Sequence, residues 1–296
     1  MPFANCPEFL AHSCTTVITV RCDFATSSLS SMMSGSSVSS KVISILDDLV
    51  AAQTVEAVWA VHTNAMAEFG FDRLFYGFTR SHTEFGLGHH DDILVLSNHT
   101  DEYLEGYFKD DLYLDAPMLT WARQNVGAMS WSWIIENKSA LTSKQKKVLA
   151  FNLSHGVTAG YTISFRDAVT RNKGAIALTA GPGISQCDVE TIWARSGKEI
   201  NILNQFVHLR IASLPWPSVR RRLSARQREV LEWVGDGKTI ADIATIMGLT
   251  AATVEKHLRK ARDALNVETT AQAVMKASIH KQIFTMDADF PTISQR

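Results

Sequence analysis

Thr253, Glu255, Lys256, Arg259, Lys260 and Arg262 stand together in the stretch TVEKHLRKAR, interleaved with Val254, Leu258, Ala261 and, beyond it, Leu265. The apolar set recurs at steps of four, three and four residues, so on a helix it makes one stripe and leaves the polar set on the opposite side. The chemistry on offer there is that of a polyanion: guanidinium and ammonium groups bond phosphate oxygens and guanine edges, and a carboxylate accepts from a cytosine amine. A second concentration lies between Tyr103 and Trp133, with Tyr107, Phe108, Tyr113, Trp121 and Trp131 between them. Tyr and Trp join a bulky apolar ring to one polar handle. A cluster of them builds either a plain aromatic core or a mostly apolar pocket with a few oriented polar groups.

The charged face needs elements to carry it. Ser224 with Gln227, and Thr239 with Asp242, have the spacing of reciprocal helix caps. The first opens a helix with Val230, Leu231 and Val234 on one side, ending at Gly235 and Gly237. The second opens a short helix whose Ile240, Ile243, Ala244 and Met247 fit a buried stripe, ended by Gly248 at a position suited to left-handed backbone. Two residues later Thr250 caps the third helix. A short helix, a glycine turn and a longer helix form the arrangement that lays its second helix in the DNA major groove. The charged face alone fits an ordinary solvated helix equally well; cap, turn and stripe in register point to duplex DNA. Gly237-Lys238-Thr239 imitates the end of a phosphate-binding loop, but that motif needs a glycine where Glu232 stands.

Charge is unevenly placed. Residues 220–281 hold 12 Lys/Arg against 7 Asp/Glu, a net +5, so the rest of the chain carries −6 of the total −1. A modestly basic module on an acidic body suits a polyanionic partner for the module only, and specific binding by a dimer. Four cysteines in 296 residues, three of them within the first 22, make neither a disulfide framework nor a zinc pattern. No apolar run reaches the length of a membrane span and no secretory signal is visible, so the expected location is cytoplasmic. His89, His90, Asp91 and Asp92 read as a solvated loop, because neighbours on an extended chain point to opposite faces and no second ligand cluster accompanies them. No metal site or cofactor loop is expected, nor a nucleophile–base pair of the kind an enzyme requires.

The remaining pattern is that of an α+β chain. Residues 1–40 are expected to be a disordered serine-rich extension, and Met32 or Met33 is a candidate native start. A helical pattern runs from near Lys41 and continues to Phe69. Strands are expected at Arg73–Arg80, Ile93–Leu96, Thr158–Phe165 and Gly174–Ala180. Helices are expected at Asp101–Lys109, Pro117–Gln124, from the capping pair Thr142 and Gln145 to Gly156, and over Asp188–Leu209. Helices enclosing a largely antiparallel sheet make an α/β/α sandwich, here residues 41–212. Leu214-Pro215-Trp216-Pro217 breaks the last helix and opens a linker, 213–222, before an all-α domain at 223–285.

The C-terminal segment resembles the LuxR/FixJ family on Leu223, Glu229, Leu231, Gly237, Lys238, Ile243, Ala244, Thr253, Val254, His257, Leu258, Leu265 and Ala273. The resemblance implies base-edge contacts at Glu255, Lys256 and Arg259, and phosphate contacts at Thr253 and Lys260, with Thr250 at the helix start. Many relatives carry a basic residue where this chain has Glu255. The sandwich resembles the acyl-homoserine-lactone receptors on YLEGYFKDDLYLDAPMLTWARQNVGAMSW and HGVTAGYTISF. That resemblance aligns Tyr107 with the tyrosine that bonds the ligand's amide carbonyl. Pro117, Trp131, Gly156 and Gly160 fall on other recurrent positions. Tyr103 stands where the family has a tryptophan that donates to the lactone carbonyl. The aspartate that accepts the ligand's amide N–H normally precedes the proline directly. Here Ala116 holds that place, and Asp115 lies one residue earlier, about a 100° rotation away on a helix.

The expected ligand-binding set is therefore Tyr103, Tyr107, Asp115, Trp131 and Thr162; Thr162 reads equally as an ordinary strand threonine. The function implied is a ligand-responsive transcription regulator. It would bind double-stranded promoter DNA as a homodimer under control of a small apolar autoinducer, with RNA polymerase a candidate further partner. The competing reading keeps the DNA-binding output and makes the protein an orphan regulator, ligand-independent or tuned to a signal other than a lactone.

Overall fold

The computed structural model describes residues 16–19, 35–83, 87, 93–215 and 223–284. They fall into two compact units, divided between Ala212 and Ser213. The sequence elements His89 to Asp92, Met32, Met33 and Trp216-Pro217 lie outside the described residues.

The first unit is built on a six-stranded sheet. In chain order its strands are β1 (Thr16–Thr19), β2 (Phe71–Thr79), β3 (Ile93–Ser97), β4 (Gly127–Ser130), β5 (Gly160–Ser164) and β6 (Lys173–Ala180). The spatial order is β1-β3-β2-β6-β5-β4, antiparallel throughout except for the parallel pair β1 and β3. Its helices are α1 (Gly35–Ala51), α2 (Val55–Glu68), α3 (Asp101–Phe108), α4 (Pro117–Gln124), α5 (Ser132–Glu136), α6 (Ser143–Ser154) and α7 (Gln186–Ser213).

The pleat of β2 sends successive side chains to opposite faces and so sets the layers. Tyr76 packs near Trp59 of α2 and is hydrogen-bonded to His208 of α7 at 2.9 Å. Phe75 faces the other way, edge-on to Tyr107 and beside Phe108 of α3. Helices thus cover both faces, an α/β/α sandwich with a largely antiparallel sheet.

Three differences from the sequence pattern have local causes. The single helix expected from Lys41 to Phe69 is two, because Thr54 turns extended and its hydroxyl caps Ala57 N–H at the start of α2. The first 40 residues are not uniformly without structure. The β-branched run Thr16–Thr19 pairs with the edge of β3, and α1 begins at Gly35 inside the serine-rich segment. A helix nucleated by its apolar turns extends at little further cost through serines. β4 and α5 escaped the pattern because GAMS has no β-branched residue and α5 is five residues long.

The second unit is all-α: α8 (Ala225–Gly235), α9 (Ile240–Met247), α10 (Ala251–Leu265) and α11 (Thr270–Ile279). Capping boxes open α8, α9 and α11 through Ser224–Gln227, Thr239–Asp242 and Thr269–Gln272. Each replaces two N–H groups' lost water with side-chain acceptors. Val230, Leu231, Ile243, Val254, Leu258, Ala261 and Leu265 close one apolar core. Ile240 does not join it: the first residue of α9 is 40% exposed, so the stripe on this helix begins at Ile243.

Candidate functional site

Between the sheet and the layer of α3, α4 and α6 lies a cavity of about 450 Å³. Its walls are mostly aromatic and aliphatic, within the size range of small-molecule sites. Tyr103, Tyr107, Trp131 and Thr162, four of the five residues expected to contact a ligand, line it together.

The local fold explains how each arrives there. Thr100 caps α3 by accepting from Tyr103 N–H, and Tyr103 and Tyr107 then follow one turn apart with stacked rings 5.1 Å between centroids. Tyr103 stacks in turn on His99, and its hydroxyl donates to Asn152 Oδ1 of α6 at 3.0 Å. Burial raises the Tyr103 and Tyr107 hydroxyls well above the usual phenol range, so both stay protonated donors. Burial, then the Arg73 charge, hold His99 down at about 3, a neutral ring. Tyr107 differs from Tyr103 in that its hydroxyl makes no hydrogen bond among the described residues.

Trp131 is positioned by the serines on either side of it. Ser130 and Ser132 both donate to Glu190 of α7, the latter at 2.9 Å, and Tyr161 donates to the same carboxylate at 2.5 Å. Burial would raise the Glu190 carboxyl, but the hydrogen bonds from Ser130, Tyr161, Ser132 and Gln186 hold it below its ordinary value. Gly160 lets the indole lie close to β5. A Cβ there would stand 2.1 Å from the Leu178 carbonyl oxygen and 3.1 Å from the Trp131 ring. The Trp131 indole N–H donates to Thr162 Oγ1 at 2.9 Å, so the two polar groups satisfy each other and the threonine keeps its own hydrogen to donate.

Asp115 is the correction to the expected set. It does not line the cavity; its carboxylate faces outward, 3.8 Å from Lys144 Nζ. Between α3 and α4 runs a 3-10 segment, Lys109–Asp115, in which Asp110 and Asp111 take left-handed backbone angles. The segment hands the inward position to Ala116, the extended residue that precedes Pro117 and lines the cavity. Sequence reasoning missed His99, Asn152 and Arg123, all cavity-lining. Each reads from the chain as an ordinary strand-end, helix-surface or helix-end polar residue; only the pairing of distant elements turns it inward.

The second candidate surface is α10. Gly248 ends α9 at φ 64° and ψ 35°, and Leu249 N–H returns to the Ala244 carbonyl at 2.8 Å, which fixes a tight turn. Thr250 then caps α10 by accepting from Thr253 N–H, and the two hydroxyls are 2.9 Å apart. Thr250, Glu255, Lys256, Arg259 and Lys260 are exposed and Thr253 half-buried, opposite the buried stripe. Lys256, Arg259 and Lys260 form no ion pair among the described residues. Glu255 lies 3.5 Å from Arg262, whose other nitrogen donates to Thr270 at 3.0 Å. No group of three or more candidate metal ligands occurs among the described residues.

An aromatic cavity and an exposed basic helix of this form agree with two family matches. The family described as "Autoinducer binding domain" matches residues 54–211, and "Bacterial regulatory proteins, luxR family" matches residues 221–277. The chain belongs to the LuxR-type autoinducer-binding regulators. This family consists of transcriptional regulators rather than enzymes, with a small-molecule ligand and DNA as its partners.

Similar proteins include the transcriptional activator CarR of Pectobacterium carotovorum, 22% identical over 62% of this chain and 77% of its own length. AnoR of Acinetobacter nosocomialis is 24% identical over 79% and 94%, and LuxR of Aliivibrio fischeri 24% over 63% and 73%. Among solved structures, SdiA in complex with octanoyl-rac-glycerol is similar at TM-score 0.49 and 17% identity, covering 84% of this chain and 97% of that one. CepR2 of Burkholderia cenocepacia is similar at TM-score 0.45 and 18% identity, over 58% and 96%.

Proposed function

We propose that this LuxR-type regulator binds a small, largely apolar signal in the sandwich cavity and, as a homodimer, places two α10 helices on a roughly palindromic promoter. The observation that carries the reading is the Tyr107 hydroxyl, a protonated donor on the cavity wall with no partner among the described residues. The hydroxyl faces the cavity, and a hydrogen bond from it to a ligand carbonyl contributes roughly 0.5–1.5 kcal/mol. Tyr103, Trp131 and Thr162 shape the same wall. Binding that fills the cavity stabilises the folded sensor and shifts the population able to dimerise.

On the output side, Lys256 and Arg259 read base edges, Thr253 and Lys260 hold phosphates with Thr250 at the helix start, and Glu255 tunes the site preferred. A dimer makes up for the module's modest charge, and binding falls steeply with salt. Contact with RNA polymerase from a promoter-bound dimer is a further part of the proposal, as is a cytoplasmic location, where the chromosome lies. Among the described residues no helix is long and apolar enough to cross a membrane.

Ala116 at the acceptor position, with Asp115 turned to Lys144, favours a signal other than a standard acyl-homoserine lactone. A lactone's amide N–H would find no carboxylate there. The test is solvent extraction and mass spectrometry of protein expressed in its native host, followed by band-shift assays on promoter DNA with the extracted compound. A co-purifying apolar compound that tightens sequence-preferring duplex binding is the expected result. Failure to bind duplex DNA, with or without extract, would overturn the reading.

A further inference from the structure

The cavity has two polar ends, and only one of them belongs to the tyrosines. The Tyr107 end stands level with Phe75, which pairs with Ala177 of β6; Ala177 pairs in turn with Thr162, the partner of Trp131. The other end stands level with Thr79 and its partner Lys173, four residues earlier on β6. At about 3.3 Å per residue the two ends are roughly 13 Å apart, the reach of a medium-length acyl chain.

The second end is cationic. Lys173 Nζ donates to the Asn125 carbonyl oxygen at 2.9 Å, at the C-terminal cap of α4, and Arg123 precedes that residue by two. Arg123 and Lys173 both line the cavity, and no Asp or Glu among the described residues does. Arg123 Nε is buried and makes no hydrogen bond, and neither cation is ion-paired among the described residues. His82 nearby is held below its ordinary value by burial and then by the charges of Arg123 and Lys173, which add at this end. An unpaired guanidinium on a mostly apolar cavity wall is costly, and a planar carboxylate is the acceptor that fits its fork.

We propose that the signal is bipolar: an apolar chain with a carbonyl acceptor at Tyr107 and a carboxylate at Arg123, assisted by Lys173. This rests on the reading of the cavity as the signal site and names its ligand class. It also accounts for Ala116: a ligand that brings acceptors at both ends has no amide N–H to satisfy, and the cavity wall offers it no carboxylate.

The test is calorimetric titration of the full chain with monomethyl decanedioate, an ester at one end and a carboxylate at the other, against methyl decanoate. The half-ester is expected to bind about 10-fold to 100-fold tighter, the worth of a charge-assisted hydrogen bond. Arg123→Gln should bring the half-ester down to the level of methyl decanoate, and Arg123→Lys, which keeps the charge, should retain part of the preference. A circular-dichroism melt checks that each variant folds, with Lys173→Gln a second route to the same loss. Equal binding of the two probes, or a preference that survives Arg123→Gln combined with Lys173→Gln, overturns the bipolar ligand while leaving the cavity as signal site. If neither probe binds, the signal-site reading falls together with it.

Discussion

On α10, Lys256, Arg259 and Lys260 hold their charges in solvent, on the side of a helix whose other side is buried against the domain core. In the cavity the polar groups are mostly committed already: Tyr103 to Asn152, Trp131 to Thr162, Lys173 to a carbonyl. On the proposed reading, the helix recognises with groups that exchange water for phosphate and base at little desolvation cost. On the same reading, the cavity recognises with groups not yet committed, Tyr107 and Arg123 among them, each of which gains by finding a partner. One surface is generic until sequence context selects its site; the other is selective from the start because it is buried.

Acid should separate the two most strongly. His62 and His208 are held at about 4, in each case by burial against the opposing pull of Asn204 or Asp167, and His99 at about 3 by burial and Arg73. Each titrates near 6.5 when unfolded. The unfolded chain therefore takes up more protons as the pH falls from about 6.5 to about 4. Sandwich stability should decline across that window, by on the order of 1–3 kcal/mol per histidine. Thermal melts at stepped pH should show it, and His208→Gln, which takes no proton there, should flatten the slope. A melt indifferent to pH between 6.5 and 4 would contradict the buried neutral histidines.

The double change Lys256→Ala and Arg259→Ala should weaken duplex binding by about 100-fold or more, at roughly 1–3 kcal/mol per lost contact, and leave ligand binding intact. Fluorescence anisotropy with labelled promoter DNA reads the first quantity and calorimetry the second. Gly160→Ala should do the reverse. Its Cβ would press on the Leu178 carbonyl and the Trp131 ring, costing about 1–3 kcal/mol in the sandwich melt without altering the α10 surface.

Tyr107→Phe should cost ligand affinity about tenfold or less, the net worth of one neutral hydrogen bond, with no loss of melting temperature. Tyr103→Phe should lower the melt, because it strands the Asn152 acceptor. If both tyrosines behave alike, the distinction between committed and uncommitted hydroxyls is wrong. The smallest effect is expected at Glu255. Its carboxylate already faces Arg262, so Glu255→Ala should shift duplex affinity only a few-fold, within the worth of an exposed pair, while changing which base is preferred at one position.

The DNA-binding unit was legible because its rules are local. Ser224–Gln227, Thr239–Asp242, Gly248 and Thr250 act within four residues of chain, and the stripe from Val254 to Leu265 declares its buried side by periodicity. Local signals erred where a neighbour decided. Thr54 split one expected helix into two, and Ile240, in register with its stripe, stands exposed at the helix end.

The cavity shows the limit. Its aromatic density was visible in the chain, and Tyr103, Tyr107, Trp131 and Thr162 line one cavity. What the chain could not declare was direction. Asp115 and Ala116 are adjacent, and a left-handed pair at Asp110 and Asp111 decides which of them faces in. Arg123 is an ordinary helix-end cation until α4 packs across β5 and β6 and aims it at the cavity. By itself the sequence determined α8, α9 and α10, their caps, the charged face of α10 and the aromatic content of the sandwich, since those follow from contacts a few residues apart. Only the tertiary structure decided which polar atoms the cavity leaves unpaired, because that depends on what strands and helices distant in the chain bring to the same buried wall.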